Sequence, residues 1–130
     1  MTKPVLYDYY RSSAAYRVRI ALNMKGVDYD RVPVNLVEGA QKEAEYRARN
    51  PQGFVPMLEW AGKRLIQSLA IIDWLDPAGP EPRLIPADPA GRAHVMALAL
   101  AIACDIHPLN NLRVLKYLSG PLGQEEEARN

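Results

Sequence analysis

The residues with the clearest chemical potential lie together near the start of the chain, in Arg11-Ser12-Ser13-Ala14-Ala15-Tyr16-Arg17. A β-type run, Val5-Leu6-Tyr7, leads into this stretch, and a helix-type run, Val18 to Lys25, leads out of it. A serine hydroxyl at such a junction can accept from the N–H groups that the first helical turn leaves without partners. That turn also carries partial positive charge, so a negative group beside it is stabilised. Arg11 and Arg17 add two full charges. These residues could hold an anion, although a Ser-Ser pair taken alone is more often an ordinary cap. A second junction of the same kind, Gln67-Ser68, opens the apolar run Leu69 to Leu75, with Ser68 as the expected cap.

Other chemistries find little support. His94 and His107 stand apart, without a Cys/His cluster, so no metal site is expected. Cys104 falls in an Ala/Leu/Ile stripe, where a buried, inert thiol is expected rather than a nucleophile. Neither a hydrolytic triad nor a glycine-rich phosphate loop can be read. Sixteen basic and fifteen acidic side chains give a net charge of +1, which leaves no nucleic-acid footprint. The composition, 48% apolar and 24% charged, is that of a soluble globular protein. A single cysteine rules out an internal disulfide framework. The longest apolar run, Val95 to Cys104, is too short to span a bilayer, and no basic, apolar leader opens the chain. A cytoplasmic protein without a membrane partner is the expectation.

The elements that must position these residues follow from pattern. Helix one is expected from about Ser13 to Lys25, apolar on more than one side through Ile20 and Met24, with Gly26 as its stop. Tyr29 to Val34 reads as a second strand, its Pro33 arguing for an edge, and the βαβ order implies a parallel pair. Asn35 to Asn50 is polar, weakly helical around Gln41 to Ala48, and on its residues alone Gln41 reads as solvated. Asn50-Pro51-Gln52-Gly53 is a turn. Phe54 to Trp60, Ala61-Gly62 and Lys63 to Ile66 form a hairpin in which Val55-Pro56 opens the strand, trans by base rate. Asp76-Pro77 should end the next helix.

Five of the chain's eleven prolines lie between Pro77 and Pro89, a composition that reads as a linker. Beyond it the pattern is helical. Asp88-Pro89 starts a helix with Ala93, Met96, Ala97, Leu100 and Cys104 as its core stripe, Pro108 kinks it, and Leu109 to Leu118 resumes it. Glu125-Glu126-Glu127 reads as the acidic first turn of another helix, and the chain stopping at Asn130 reads as a cut end. The expected organisation is a domain over residues 1–76, a linker over 77–88 and an incomplete all-helical domain over 89–130.

The order β-α-β-α-β-β-α with Val-Pro opening the third strand resembles the thioredoxin-like glutathione-binding domain, and the helical segment resembles the start of the all-α C-terminal domain of the glutathione transferases. Three stretches are similar to the zeta class: Arg11 to Leu22, Gln67-Ser68-Leu69-Ala70-Ile71-Ile72, and His107-Pro108-Leu109-Asn110-Asn111-Leu112-Arg113-Val114-Leu115. The resemblance covers nearly the whole chain. It implies glutathione as cofactor, with Ser12 facing its sulfur and Ser13, Ala14, Ala15, Tyr16 and Arg17 in the same loop. Ala14 stands where relatives often carry cysteine. It further implies Val55 beside a cis Pro56 at the cysteinyl part, Gln67 and Ser68 on the γ-glutamyl carboxylate, and Gln41 as a further contact. His107, Asn111, Leu112 and Arg113 match cleft positions of the family, His107 and Asn111 sharing one helical face. The implied reaction is glutathione-dependent cis–trans isomerisation of 4-maleylacetoacetate to 4-fumarylacetoacetate in tyrosine and phenylalanine breakdown, with Arg11 and Arg113 on the carboxylates of a dicarboxylate substrate and a homodimer as the working form. Maleylpyruvate isomerisation, general zeta-like transfer and a non-catalytic glutathione- or protein-binding fragment are the alternatives.

Overall fold

The computed structural model describes residues 2–125. The acidic turn expected at Glu125-Glu126-Glu127 therefore lies, apart from Glu125, outside the described residues. The chain divides into two compact units, Met1–Ile85 and Pro86–Asn130.

The first unit is built on four short strands. β1 (Val5–Asp8) pairs in parallel with β2 (Asp30–Pro33), while β3 (Met57–Trp60) runs antiparallel to both β1 and β4 (Lys63–Ile66). The sheet order is β2-β1-β3-β4, so β2 is an edge strand, where Pro33 interrupts no second ladder. Helices α1 (Ser13–Met24), α2 (Ala44–Arg49) and α3 (Ser68–Ala78) complete the expected order. A short 3-10 turn, Ala40–Lys42, precedes α2. Ala61 and Gly62, both at positive φ, close the β3–β4 hairpin in the way its right-handed twist favours.

Alternation along the strands divides the core. Leu6, Leu58 and Trp60 face one cluster with Val18, Ala21 and Leu22 of α1 and Ile71 and Leu75 of α3. Met57, with Tyr7 and Ile66 packed against it, faces the other, shared with Val34, Tyr46 of α2 and Val55. Helix α1 buries a single face. Ile20 and Met24 stay exposed, against the expectation of apolar contact on two sides, because no element packs over them in this unit.

The residue that continues the buried stripe of α1 is Lys25, whose side chain is 0% exposed. Its Nζ donates to the Asp76 carbonyl at 2.9 Å, to Asp76 Oδ1 at 3.2 Å and to the Pro82 carbonyl at 2.9 Å. The Asp76 carboxylate accepts in turn from the N–H groups of Leu84 at 2.7 Å and Ile85 at 3.1 Å. Burial acts to raise the Asp76 pKa, but the two backbone donors and Lys25 outweigh it and hold the carboxyl below its ordinary value. These bonds account for two departures from the expected boundaries. Helix α3 continues through Pro77 to Ala78, and Leu84 packs against the first core, so residues up to Ile85 belong with the first unit.

The second unit starts as the sequence indicates, with Asp88 capping α4 (Pro89–Leu100) by accepting from the Gly91 N–H at 2.6 Å. A π-helical run, Ala101–Ile106, carries the helix on, and the His107 N–H reaches back to the Ile102 carbonyl at 2.8 Å. Pro108 therefore does not kink a continuing helix. The chain turns at 107–110 and begins a new one, α5 (Leu112–Ser119). None of α4 or the π-helical run is buried, and Cys104 is exposed, so the expected core stripe covers no core of its own among the described residues. The unbroken run also extends the apolar stretch beyond Val95–Cys104: Pro89–Ile106, 18 residues of mean hydropathy 1.3, is long and apolar enough to cross a membrane by length and composition alone.

Breaking a buried ion pair by removing one partner costs about 3–5 kcal/mol, and Asp76→Asn is expected to lose that much in a urea melt of the first unit. The acid limb should change as well. A carboxyl whose folded pKa lies below its unfolded value contributes stability that is fully present above the unfolded pKa and is lost as pH falls through the folded one. Melting temperature should therefore fall less steeply with acid in Asp76→Asn than in wild type, and equal slopes would show that Asp76 makes no such contribution.

Candidate functional site

Strand register decides which loops meet. Val32, Tyr7, Met57 and Ile66 occupy one row across the four strands. Past that row, at the same end of the sheet, lie the loop from β1 to Ser12, the Val55-Pro56 pair before β3, and Gln67-Ser68 after β4. Three segments far apart in sequence thus converge at one end of the sheet.

Ser12 sits in extended backbone as the N-cap of α1, and its Oγ accepts from the Ala15 N–H at 3.1 Å. The cap leaves the hydroxyl proton available for donation, since a serine oxygen can accept and donate at once. Ser13 is the first helical residue, Ala14 is partly buried and Ala15 fully buried, while Arg11 and Tyr16 are exposed. The Arg11 guanidinium lies 6.0 Å from the centre of the Tyr10 ring. Arg17 points the other way, its NH1 donating to Ser68 Oγ at 3.1 Å. That bond joins the starts of α1 and α3 and sets a full positive charge beside the second helix N-terminus.

Ser68 is not the cap of α3. It is the first helical residue, 7% exposed, and the cap position belongs to Gln67, at φ 70° and ψ 118°. A non-glycine residue at positive φ is strained and persists where its surroundings hold it. The Gln67 side chain does not fold back to cap the helix. Its Nε2 donates to Gln52 Oε1 at 2.9 Å, tying α3 to the turn before β3.

The Val55–Pro56 bond is cis, as the resemblance implies and against the base-rate expectation; Glu81–Pro82 is cis as well. Gln41 is not solvated. It is half-buried, its Nε2 reaches the Leu36 carbonyl at 3.5 Å, and its Oε1 is buried without a hydrogen-bond partner. An orphaned buried acceptor costs about 1–3 kcal/mol unless a donor reaches it.

Two residues of this region escape the sequence reading. Tyr46 and Asn50 are both buried, and each donates to the Phe54 carbonyl, Tyr46 Oη at 2.6 Å and Asn50 Nδ2 at 2.8 Å. Burial pushes the Tyr46 phenol up to about 12, so it remains a donor at physiological pH. The signal was present in Asn50-Pro51-Gln52-Gly53, which identifies a turn without revealing that its asparagine faces inward.

The second unit places its expected residues differently from one helical face. His107 closes the π-helical run, and Asn111 caps a separate helix, its Oδ1 accepting from the Arg113 N–H at 2.9 Å and the Val114 N–H at 3.4 Å. The shared face assumed for His107 and Asn111 is therefore absent, because the turn at 107–110 separates them. Leu112 and Arg113 are exposed on the first turn of α5. Among the described residues no group of three or more His, Cys, Asp or Glu could hold a metal ion. A shallow concavity lined by Lys3, Glu59, Trp60 and Arg64 lies at the other end of the first unit's sheet, by the 61–62 turn, away from Ser12, Val55-Pro56 and Gln67-Ser68.

Residues 4–77 match the family described as "Glutathione S-transferase, N-terminal domain". A maleylacetoacetate isomerase of Rhizobium meliloti is 52% identical over 125 residues, which is 96% of this chain and 59% of that protein. A bacterial maleylpyruvate isomerase structure of the zeta class superposes with a TM-score of 0.92 at 46% identity, covering 96% of this chain and 59% of the other. A maleylacetoacetate isomerase from Methylobacterium extorquens AM1, with bound malonate and glutathione, also gives 0.92 at 42% identity and the same coverage. The chain spans about 60% of the length of the curated relatives it matches.

Removing the Ser12 hydroxyl takes away a helix cap, and Ser12→Ala is expected to cost about 0.5–2 kcal/mol, with Ser12→Gly costing less. Chemical denaturation of both variants measures this. An unchanged midpoint in Ser12→Ala would mean that water replaces the cap at no cost.

Proposed function

Since the chain belongs to the glutathione S-transferase family, we propose that it binds glutathione at the sheet end that carries Ser12, Val55-Pro56 and Gln67-Ser68, and that it serves the isomerisation of maleylacetoacetate to fumarylacetoacetate. The observation that carries the reading is the convergence of two helix starts and the cis proline at that one end, joined by the Arg17–Ser68 and Gln67–Gln52 bonds. The residues present suit the tripeptide. A γ-glutamyl carboxylate fits the N-terminus of α3, where Ser68, the Gln67 amide and the Arg17 charge lie together.

Ser12 would donate its hydroxyl proton to the sulfur, and the positive end of α1 would further favour thiolate over thiol. Bound glutathione would supply a thiolate nucleophile for reversible addition to the conjugated cis double bond. Arg11, exposed beside Ser12, is the cation proposed for a carboxylate of the substrate. The Methylobacterium relative, whose structure contains bound malonate and glutathione, supports a dicarboxylate. Maleylpyruvate isomerisation is the second reading, favoured by the zeta-class neighbour of that name. A homodimer, a place in tyrosine and phenylalanine breakdown and a cytoplasmic location without membrane insertion complete the proposal. Arg92, His94 and Asp105 within the apolar helical run support the last point.

Calorimetric titration with glutathione tests the site. Wild type should saturate, and the double variant Gln67→Ala/Ser68→Ala should bind about ten-fold or more weakly, since each side chain hydrogen-bonds a charged group. Ser12→Ala should retain binding while the pKa of the bound thiol, read from thiolate absorbance, returns toward that of free glutathione. A folded wild-type chain that takes up no glutathione would overturn the proposal. Turnover of maleylacetoacetate against maleylpyruvate then separates the two substrate readings.

A further inference from the structure

The turn at residues 50–54 does more than connect α2 to β3. Asn50 is 1% exposed, and every polar group it owns is engaged. Its N–H donates to the Tyr46 carbonyl at 2.8 Å and its carbonyl accepts from the Gly53 N–H at 2.9 Å. Its Oδ1 accepts from the Gln52 N–H at 3.2 Å, and its Nδ2 donates to the Phe54 carbonyl. Tyr46 Oη donates to that same carbonyl, so the two lone pairs of one oxygen are filled by two buried donors from α2 and its C-cap. Gly53, at φ 64°, completes the turn where a Cβ would come within 2.8 Å of the Gln41 carbonyl.

A peptide group is planar, and the Phe54–Val55 bond is not among the cis bonds. Fixing the Phe54 carbonyl toward Tyr46 and Asn50 therefore fixes the Val55 N–H in the opposite direction, away from α2. The same turn holds Gln52, whose side chain accepts from Gln67 at the start of α3. One buried asparagine thus sets the direction of the Val55 N–H and holds the backbone of the turn that carries Gln52, the partner of the Gln67 amide. Neither Asn50 nor Tyr46 need touch a ligand to do so.

We propose that Asn50, with Tyr46, is a positioning residue for glutathione: the pair orients the Val55 peptide through the Phe54 carbonyl, and the Asn50 turn orients Gln67 through Gln52. The inference rests on the glutathione reading above and adds the means by which the site is pre-set before ligand arrives.

The test uses Asn50→Asp, which keeps the acceptor for the Gln52 N–H and removes the donor to Phe54, together with Tyr46→Phe and the exposed Gln52→Ala. Each is titrated with glutathione by calorimetry at a temperature where circular dichroism shows a full complement of secondary structure. Each is also compared with wild type through the amide resonance of Val55 and the side-chain amide pair of Gln67. Asn50→Asp and Tyr46→Phe should move the Val55 resonance and weaken glutathione about ten-fold, the equivalent of one hydrogen bond to the carbonyl. Gln52→Ala should move the Gln67 pair and leave Val55 in place, a split that general loss of stability would not produce. Should Asn50→Asp fail to fold, Tyr46→Phe and Gln52→Ala decide the matter. Folded variants with wild-type affinity and unmoved resonances overturn this inference alone, whereas a wild-type chain that does not bind glutathione overturns it together with the reading beneath it.

Discussion

Everything at the candidate site depends on the row formed by Val32, Tyr7, Met57 and Ile66. Side chains along a strand alternate with a period of two, so a slip of one residue between β1 and β3 would exchange the faces of the sheet. A slipped β3 would take Leu58 and Trp60 out of the α1–α3 core and Met57 out of the α2 core, which makes the register costly to change. A fully buried leucine is worth about 1.5–3 kcal/mol, so several at once exceed what loop contacts could restore. The hydrophobic core thereby specifies the alignment of three loops that have no sequence proximity. The cis Pro56 and the two helix starts are then neighbours because the strands leading to them end together.

The buried Lys25–Asp76 pair acts at the far ends of the same helices. It joins the residue that follows α1 to the last turn of α3 and ties residues 82–85 to both. A buried pair of this kind is weak evidence for net stability, since apolar side chains of equal volume often do as well. What it provides is definition. Lys25 has three protons to place and finds three oxygens, an arrangement that a sliding helix could not keep. With their C-terminal ends held in this way and their N-terminal ends linked by Arg17 and Ser68, α1 and α3 cannot shift along one another without breaking charged hydrogen bonds at both ends.

Much of the first unit was legible because its signals are local. Ser12 as a cap, Gly26 as a stop at positive φ, Pro33 on an edge and the Ala61-Gly62 turn each follow from the conformational limits of one or two residues. What escaped depends on contacts distant in sequence. Nothing near Lys25 announces that it would be buried, since its partners lie more than fifty residues away at Asp76 and Pro82. Gln67 takes the cap position because Gln52 holds its side chain, and Asn50 turns inward because Phe54 offers it a carbonyl. The second unit misled for a related reason. An i, i+4 spacing places His107 and Asn111 on one face only if the helix continues, and Asn111 is itself a strong helix starter. The residue expected to face a ligand is thereby committed to the N–H groups of Arg113 and Val114.

Ser12 shows why an ordinary reading and a functional one need not compete. As an acceptor from the Ala15 N–H, its oxygen fixes the hydroxyl at the head of α1, which is all that a cap requires. The same bond removes the rotational freedom that would otherwise oppose aiming the hydroxyl proton outward. An unconstrained serine would have to be ordered when an anion arrives, whereas a capping serine is ordered already. The structural role is then a precondition for the chemical one. Asn50 follows the same logic one step further from the ligand, since the bonds that satisfy its own buried groups are the ones that set the Val55 peptide. In both places the fold resolves its own unsatisfied backbone groups and, in doing so, orders a donor at the sheet end proposed for glutathione.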